Sequence, residues 1–186
     1  MVLSLPVLLS LAVGPLTTSS PVATCDIVRQ PAAETGESIA MVEIPAGGQV
    51  KYELHEASGR MEVDRFLAMP VAYPVNYGIL PCTRAGDGDP LDVLVLTRLA
   101  VDPGALIRVR PVGVLRMRDD GEEDDKLIMV PVSAVDPDYD GVEDLDDLPA
   151  AQLERIRAFF EVYKRLPEPG GSVELGPWEG PDAARA

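Results

Sequence analysis

Three carboxylates crowd into one short stretch of the chain, directly ahead of an apolar run that is typical of a buried strand. The stretch is GDGDPLDVLVL, residues 86–96, and the carboxylates belong to Asp87, Asp89 and Asp92. Two unit charges about 4 Å apart repel by about 1 kcal/mol in water and by roughly 4 kcal/mol at the dielectric of a partly buried site. Either these groups point into solvent, or a cation lies between them.

Two common acidic motifs do not fit this stretch. Counted from Asp87, the sixth position of an EF-hand loop is Asp92 rather than Gly and the twelfth is Arg98 rather than Glu. The sequence also lacks the GxxxxGK[ST] loop that an acidic partner of a nucleotide site would accompany. A solvated acidic turn stays open as an alternative. Against it, Pro90 restricts the backbone between Asp89 and Asp92, and VLVL follows at once, so the carboxylates are held at a strand end.

A second acidic cluster, RDDGEEDDK at residues 118–126, lies between two further strand patterns and ends in Lys126. If the fold brings the two clusters together, oxygen ligands from both converge on one cavity. The chain has one histidine, His55, and two cysteines, Cys25 and Cys82. This composition excludes sites built from several imidazoles or from four thiolates. Metal chemistry here would use oxygen ligands, which favour Mg2+, Mn2+ or Ca2+.

Cationic and phenolic side chains can bind phosphoryl oxygens, although each one alone is better explained as a surface lysine or a packed tyrosine. The candidates are Lys51, Arg65, Lys126, Lys164, Tyr73, Tyr77 and Tyr163. The net charge of −15 argues against a nucleic-acid backbone or an anionic membrane as partner. It does not exclude a local phosphate site, because bound divalent cations reverse the local potential.

The elements that must position these residues are mostly strands. A length of 186 residues with 46% hydrophobic content suits one domain. Alternating patterns predict strands in SIAMVEIP, VKYEL, GRMEVDRF, LDVLVLT, ALIRVRPVGVLRM and KLIMVPV, the second and third forming a hairpin around HEASGR. Many short strands without helices between them favour a closed or nearly closed barrel.

One helix is predicted in DDLPAAQLERIRAFFEVYKRLPEPGG, with Pro149 near its start and Pro167 at its end. We expect its apolar face to pack on the barrel, and Trp178 to be a packing anchor. The apolar residues at helical spacing are Leu153, Ile156, Phe159, Phe160, Tyr163 and Leu166.

The first 25 residues are similar to a secretory signal peptide, with an apolar run followed by the small-residue stretch TTSSPVAT. The absence of Lys and Arg from the start is atypical of such signals. VATC also loosely matches the pattern in which a cysteine is lipidated, here Cys25. Export, with or without lipid anchoring at Cys25, is therefore one expectation, and a disordered or mis-assigned extension is the alternative.

The sequence resembles the barrel-fold, Mg-dependent family of soluble inorganic pyrophosphatases. The blocks that carry the resemblance, in order, are VEIPAGGQVKYEL, GRMEVDRFL, AYPVNYGILP, GDGDPLDVLVLT, IRVRPVGVLRMRDDGEEDDKLIMVPV and LERIRAFFEVYKRLP. The resemblance implies a mainly β (α+β) fold, a five-stranded OB-like closed barrel with a C-terminal helix packed on it. It also implies one pyrophosphatase domain over residues 26–180, between the extension 1–25 and a tail 181–186.

The resemblance further implies residue roles. Asp87, Asp92 and Asp124 would bind the first Mg2+, with Asp92 bridging to a second, and Asp119 and Asp124 would hold a further ion that arrives with substrate. Asp89 would be the general base. The implied diphosphate ligands are Lys51, Arg65, Tyr77, Lys126, Tyr163 and Lys164, and the same cavity would be lined by Glu43, Glu53 and Tyr73. Because GEEDDK contains more acidic residues than the one that the resemblance requires, Glu123 and Asp125 stay open as alternatives to Asp124.

The implied function is Mg-dependent hydrolysis of diphosphate to two phosphates by a metal-activated water. Mn2+ or Zn2+ would substitute for Mg2+, Ca2+ would inhibit, nucleic acid would not be a partner, and the protein would be a homo-oligomer, hexameric as in bacterial relatives. The cytoplasm is the family's usual location, at odds with the N-terminus. The alternative function is a non-catalytic metal- or polyphosphate-binding barrel. The presence of Asp89, Lys126 and Tyr163 favours the enzyme, and a purely structural barrel leaves both acidic clusters unexplained.

Overall fold

The computed structural model describes residues 28–55, 58–86, 88–167 and 170–186. Within these residues the chain forms nine strands and two α-helices. The strands are β1 Ser38–Ile44, β2 Val50–His55, β3 Arg60–Phe66, β4 Asn76–Leu80, β5 Leu91–Val95, β6 Leu106–Asp119, β7 Glu122–Glu123, β8 Lys126–Pro131 and β9 Val173–Glu179, and the helices are α1 Ala150–Val162 and α2 Pro181–Arg185. None of the helices in the described residues combines the length and apolarity needed to cross a bilayer.

Five strands form a ring in which each is hydrogen-bonded to two neighbours. The order around the ring is β1, β4, β5, β8 and β6, and pairing of β6 with β1 completes it. The β5–β8 pair is parallel and the other four pairs are antiparallel. The prediction of a mainly β, five-stranded OB-like fold is thereby confirmed. The long strand β6 also pairs with β7 and β9, so it ties the ring to the C-terminal part of the chain.

The predicted hairpin is present as β2 and β3, which form a separate two-stranded sheet. Its register places Lys51 directly opposite Arg65. Since residues opposite one another in an antiparallel pair have neighbouring side chains, the hairpin delivers two cationic side chains to one place.

Two apolar clusters hold the molecule together. One draws residues from all five ring strands, among them Val42, Val93 and Val114, and Ala183 and Ala184 of α2 pack against it. The other lies between the sheet and α1, and it contains the aromatic residues that border the site. The ring is therefore covered by α1 on one side, and α2 packs against its other cluster.

Helix α1 confirms most of the helix prediction. Pro149 occupies the N-cap, and Phe159 and Phe160 are buried against the sheet, as expected. Trp178 packs partly buried against the same cluster. The predicted end at Pro167 is wrong: the helix ends at Val162, and the following turn directs residues 163 and 164 to the cavity described below.

Strands β4, β7 and β9 and helix α2 were not predicted. β4 begins with the buried amide Asn76 and contains Gly78, while β9 contains Gly176 and Pro177, so neither has the alternation of a simple strand. The N-terminal predictions for residues 1–25, including Cys25, lie outside the described residues.

Candidate active site

A cavity of about 780 Å3 is bordered by the β2–β3 hairpin, the loop before β5, the segment from Asp119 to Lys126 and the C-terminal end of α1. Of the fourteen predicted site residues, all but one line it: Glu43, Lys51, Glu53, Arg65, Tyr73, Tyr77, Asp89, Asp92, Asp119, Asp124, Lys126, Tyr163 and Lys164. The exception, Asp87, lies outside the described residues. The fold thus brings together residues that are far apart in the sequence.

The loop before β5 is braced by its own backbone and by Thr83. The hydroxyl of Thr83 donates to the carbonyl of Leu80 at 2.6 Å and accepts from the amide of Leu91 at 2.9 Å. The amide of Ala85 donates to the carbonyl of Asp89 at 2.7 Å. Asp92 is the second residue of β5, so the prediction that a carboxylate is held at a strand end is confirmed.

Lys126 joins the two acidic clusters. It lies opposite Asp92 in the parallel β5–β8 pair, its side chain is only 3% exposed, and its ammonium donates to the carboxylates of both Asp92 and Asp124. The ammonium also lies 5.8 Å from the centre of the Tyr77 ring. The predicted convergence of the clusters is therefore observed, with a protein cation between them.

Asp119, at the end of β6, faces the turn after α1. Lys164 donates to its Oδ2, whereas its Oδ1 is buried and has no hydrogen-bond partner among the described residues. A buried carboxylate oxygen without a donor is costly, since it loses its hydration without replacement.

The hairpin presents its cations as an ion-pair group. Lys51 donates to Glu53 and lies 3.4 Å from Oδ2 of Asp64, and the same oxygen accepts from Arg65 at 2.6 Å. Asp64 was not identified from the sequence. The hairpin register, which puts Lys51 opposite Arg65, is the signal that could have found it.

An aromatic cluster forms one wall. Tyr73 and Tyr77 have ring centres 5.3 Å apart, Tyr73 lies 4.5 Å from Phe159, and Phe159 stacks on Tyr163 at 5.3 Å. Burial raises the pKa of the phenols of Tyr73, Tyr77 and Tyr163. They stay protonated at neutral pH, and each can donate a hydrogen bond into the cavity.

Comparison with known proteins identifies this arrangement. A family model described as "Inorganic pyrophosphatase" matches residues 40–186. The chain belongs to the inorganic pyrophosphatase family. It is 51% identical over 146 residues to inorganic pyrophosphatase 1 of Pseudomonas syringae pv. tomato, covering 78% of this chain and 83% of that protein. It is 50% identical over 138 residues to the inorganic pyrophosphatase of Gluconobacter oxydans, covering 74% and 79%.

The fold agrees with solved structures of this family. A crystal structure titled inorganic phosphatase from Anaplasma phagocytophilum superposes with a TM-score of 0.80 at 44% identity, covering 84% of this chain and 91% of that one. Membership of the inorganic pyrophosphatase family implies a divalent metal cofactor.

Two carboxyl groups of this pyrophosphatase-family cavity have strongly raised pKa values. Burial, reinforced by the charge of Asp92 and opposed by that of Lys51, raises the pKa of Glu43 to about 8. Burial also raises the pKa of Asp124 to about 6, although Lys126 lowers it. Both shifts arise because the charged forms are poorly solvated, which a bound cation would relieve.

The side chains suit the divalent cation that the family uses. The described lining contains ten acidic and five basic side chains, so it is rich in oxygen donors. Within the described ranges no three acidic, cysteine or histidine side chains are grouped tightly enough to hold an ion by themselves, and Asp87 lies outside those ranges. The unpartnered oxygen of Asp119 and the carboxylates that share Lys126 are donors of the hard kind that Mg2+ or Mn2+ takes. These side chains are therefore suited to bind a divalent cation.

One further residue at the site, Arg84, was missed by the sequence prediction. Arg84 lines the cavity beside the loop before β5. Asp125, an alternative to Asp124 from the sequence, directs its carboxylate to Arg116 at 2.5 Å, whereas Asp124 contacts Lys126. No local motif marks Arg84, whereas Asp125 lies in the second acidic cluster.

Proposed function

We propose that this protein hydrolyses inorganic diphosphate to two phosphates with Mg2+ as cofactor. The observation that carries the proposal is the single cavity in which carboxylates from two separate segments lie beside Lys51, Arg65, Lys126 and Lys164. Membership of the inorganic pyrophosphatase family supports the substrate. A diphosphate carries several negative charges in a small volume, and this arrangement matches it with cationic side chains and donor phenols.

The cationic side chains reach the cavity from different elements. Lys51 and Arg65 come from the hairpin, and Lys126 and Lys164 come from β8 and the turn after α1. We assign to these residues, together with the phenols of Tyr77 and Tyr163, the binding of phosphoryl oxygens. Ligands from different elements can hold both phosphates and orient the bond between them.

The metal-binding residues in this proposal are Asp87, Asp92 and Asp124, with Asp119 and Asp124 holding a further ion. When bound, divalent cations lower the pKa of a coordinated water and neutralise charge on the phosphates. The lysines now in contact with these carboxylates stay available to phosphoryl oxygens, because their flexible stems allow them to exchange partners.

Asp89 is proposed as the general base. The attacking water forms a bond from its oxygen to one phosphorus, its proton moves to the Asp89 carboxylate, and the bond from that phosphorus to the bridging oxygen breaks. The bridging oxygen leaves with the second phosphate, whose growing negative charge the lysines and Arg65 stabilise.

The direct test is phosphate release from diphosphate by the purified full chain. We expect release with Mg2+, none with EDTA, partial activity with Mn2+ or Zn2+, and inhibition by Ca2+. Folded protein that binds Mg2+ and diphosphate but releases no phosphate would instead support the non-catalytic binding barrel.

The role of Asp89 has its own test. Asp89→Asn should bind Mn2+ within a few-fold of the unmodified protein, yet hydrolyse at least about 100-fold more slowly, the usual scale of general-base catalysis. Parallel loss of metal affinity and rate would remove the assignment and make Asp89 a metal ligand.

We also propose that the protein acts outside the cytoplasm as a homo-oligomer, hexameric by resemblance. The apolar run and small-residue stretch of the first 25 residues, which are similar to a secretory signal peptide, support this location. Phe66 and Leu99 are 71% and 80% exposed, and contact between copies would cover such side chains. Light scattering measures the oligomer, and N-terminal analysis of the mature protein measures processing; an intact Met1 would contradict export by cleavage.

A further inference from the structure

An ion-pair group lies beside the segment that carries Asp124. Arg116 of β6 donates from Nη1 to Asp125 at 2.5 Å. It also donates from Nε and Nη2 to one oxygen of Glu179 of β9, at 3.0 and 2.8 Å. One guanidinium thus joins the segment before β8 to the last residue of β9.

The backbone beside this group is held as well. The amide of Met117 donates to Oδ1 of Asp125 at 3.0 Å, and its carbonyl accepts from the amide of Asp124 at 2.9 Å. Residues 124 and 125 therefore use both backbone polar groups of one residue of β6, although they belong to neither β7 nor β8.

Asp124 and Asp125 send their carboxylates to different partners. Asp124 contacts Lys126 in the cavity, and Asp125 accepts from Arg116 and Met117. Both oxygens of Asp125 already accept hydrogen bonds, so it is poorly suited to bind a metal. Asp125 follows Asp124 directly in the chain, so the anchoring of its carboxylate to β6 restricts the backbone that carries Asp124.

The opposing strand β9 lies close to Arg116 at Gly176. A side chain at Gly176 of β9 would place its Cβ 2.9 Å from Cβ of Arg116. The carbonyl of Gly176 accepts from Arg157 of α1 at 2.9 Å, so the strand behind Arg116 is itself anchored to the helix that ends beside the cavity.

We propose that Asp125, held by Arg116 and Glu179, is a positioning residue that orients Asp124 for divalent-cation binding, an inference that rests on the proposed function. Asp124 lies beside Asp92, and repulsion between the two carboxylates favours a conformation that turns one of them to solvent. The ion-pair group opposes that rotation. Partners that orient metal ligands in this way are typically worth 10- to 100-fold in metal affinity.

The test is Mn2+ binding to the full, metal-stripped chain without substrate, by calorimetry or by electron paramagnetic resonance, for Arg116→Gln. Simple electrostatics predicts tighter binding, because a positive charge near the site is removed. Positioning predicts the opposite, a dissociation constant raised about 10-fold. The matched control is Arg118→Gln, which removes the same charge two residues away. Arg118 makes a long ion pair, 3.7 Å from Glu123. The affinity of this control for Mn2+ should be unchanged or slightly higher.

Hydrolysis gives a second readout. In Arg116→Gln, the Mg2+ concentration that gives the half-maximal rate should rise together with the Mn2+ dissociation constant. The rate at saturating Mg2+ should recover to within a few-fold of the rate of the unmodified protein. A merely destabilised protein would lose rate without a shift in metal requirement. Asp125→Asn, which keeps an acceptor for Met117, should show a smaller shift than Asp125→Ala.

Unchanged or tighter Mn2+ binding in Arg116→Gln overturns the proposal. If that variant does not fold, the Asp125→Asn and Asp125→Ala pair decides, and equal affinities in those two also overturn it. An unmodified protein that fails to hydrolyse diphosphate would refute the proposed function, while the Mn2+ titration would still decide the positioning role.

Discussion

Lys126 occupies the position that a cation must hold for Asp92 and Asp124 to lie side by side. Its ammonium is almost fully buried and bonded to both carboxylates, so it compensates charge within the protein. Breaking such a pair by removing one partner is strongly destabilising, because it leaves an unpaired buried charge. The residue that we assign to substrate binding therefore also supports the site without substrate.

Glu43 makes the free energy of unfolding depend on pH. Its pKa is about 8 in the folded protein and about 4.5 in the unfolded chain. Between these values the folded state holds a proton that the unfolded state has released, so stability falls as pH rises. The slope is on the order of 1.4 kcal/mol per pH unit inside that window and vanishes below it.

Glu43→Gln should remove this slope. In urea unfolding with EDTA, the free energy of unfolding of the unmodified protein relative to the variant should decline steadily from about pH 5 to about pH 8. Glu154→Gln, on an exposed face of α1, is the control and should leave the slope unchanged. Parallel curves for the unmodified protein and Glu43→Gln would show that Glu43 ionises normally in the folded state.

At the scale of elements, β4 joins the ring to the site, because it carries Tyr77 next to a close approach between two strands. A Cβ at Gly78 would lie 2.0 Å from the carbonyl oxygen of Met41 in β1. No rotation of a side chain relieves such a contact, so any substitution must separate the strands.

Gly78→Ala should therefore destabilise the fold by about 3 kcal/mol, at the upper end of the usual cost of overpacking. Gly141→Ala is the matched control, because a Cβ there meets open space and the residue lacks a positive φ. It should change the free energy of unfolding by less than about 0.5 kcal/mol. Denaturant unfolding measures both, and equal values would show that β1 and β4 can move apart freely.

The sequence predicted those elements whose local pattern agrees with their surroundings. β2, β3, β5, β6 and β8 have strand-like composition, and α1 has helical spacing, so each was found. β4 was missed because its buried Asn76 looks polar. Its side chain accepts from the amides of Ala46 and Val101 and donates to Val95 and Thr97, partners that only the folded chain brings together.

The site residues also divide into those that the sequence predicted and those that it did not. The acidic clusters could be recognised in the sequence because their members are close together in the chain. Asp64 and the contact of Arg116 with Glu179 could not, since one depends on hairpin register and the other joins residues 63 positions apart. Long-range contacts of single residues have no periodic signal.

At the scale of the whole molecule, the net charge of −15 opposes folding through self-repulsion, and part of that charge is concentrated in the cavity. Mg2+ should therefore stabilise the protein by two separable routes: general screening, which any salt provides, and specific binding, which adds about 2.7 kcal/mol at a concentration 100 times the dissociation constant.

Thermal unfolding should separate the two routes. MgCl2 should raise the Tm more than NaCl of equal ionic strength, and Asp124→Asn should abolish that difference. Asp182→Asn, which removes the same charge from a fully exposed position in α2, should retain it. An equal response of all three proteins to the two salts would leave screening as the sole effect.

The pairing of Asp92 with Lys126 across β5 and β8 also makes catalysis a reporter of folding. A slip of one residue would turn every side chain of the strand to the opposite face, so Lys126 would leave Asp92. A collapsed chain with the wrong register can regain secondary structure but not this contact. During refolding from denaturant, the return of hydrolysis would therefore measure how many molecules have closed the ring in its native register, a quantity that circular dichroism does not distinguish.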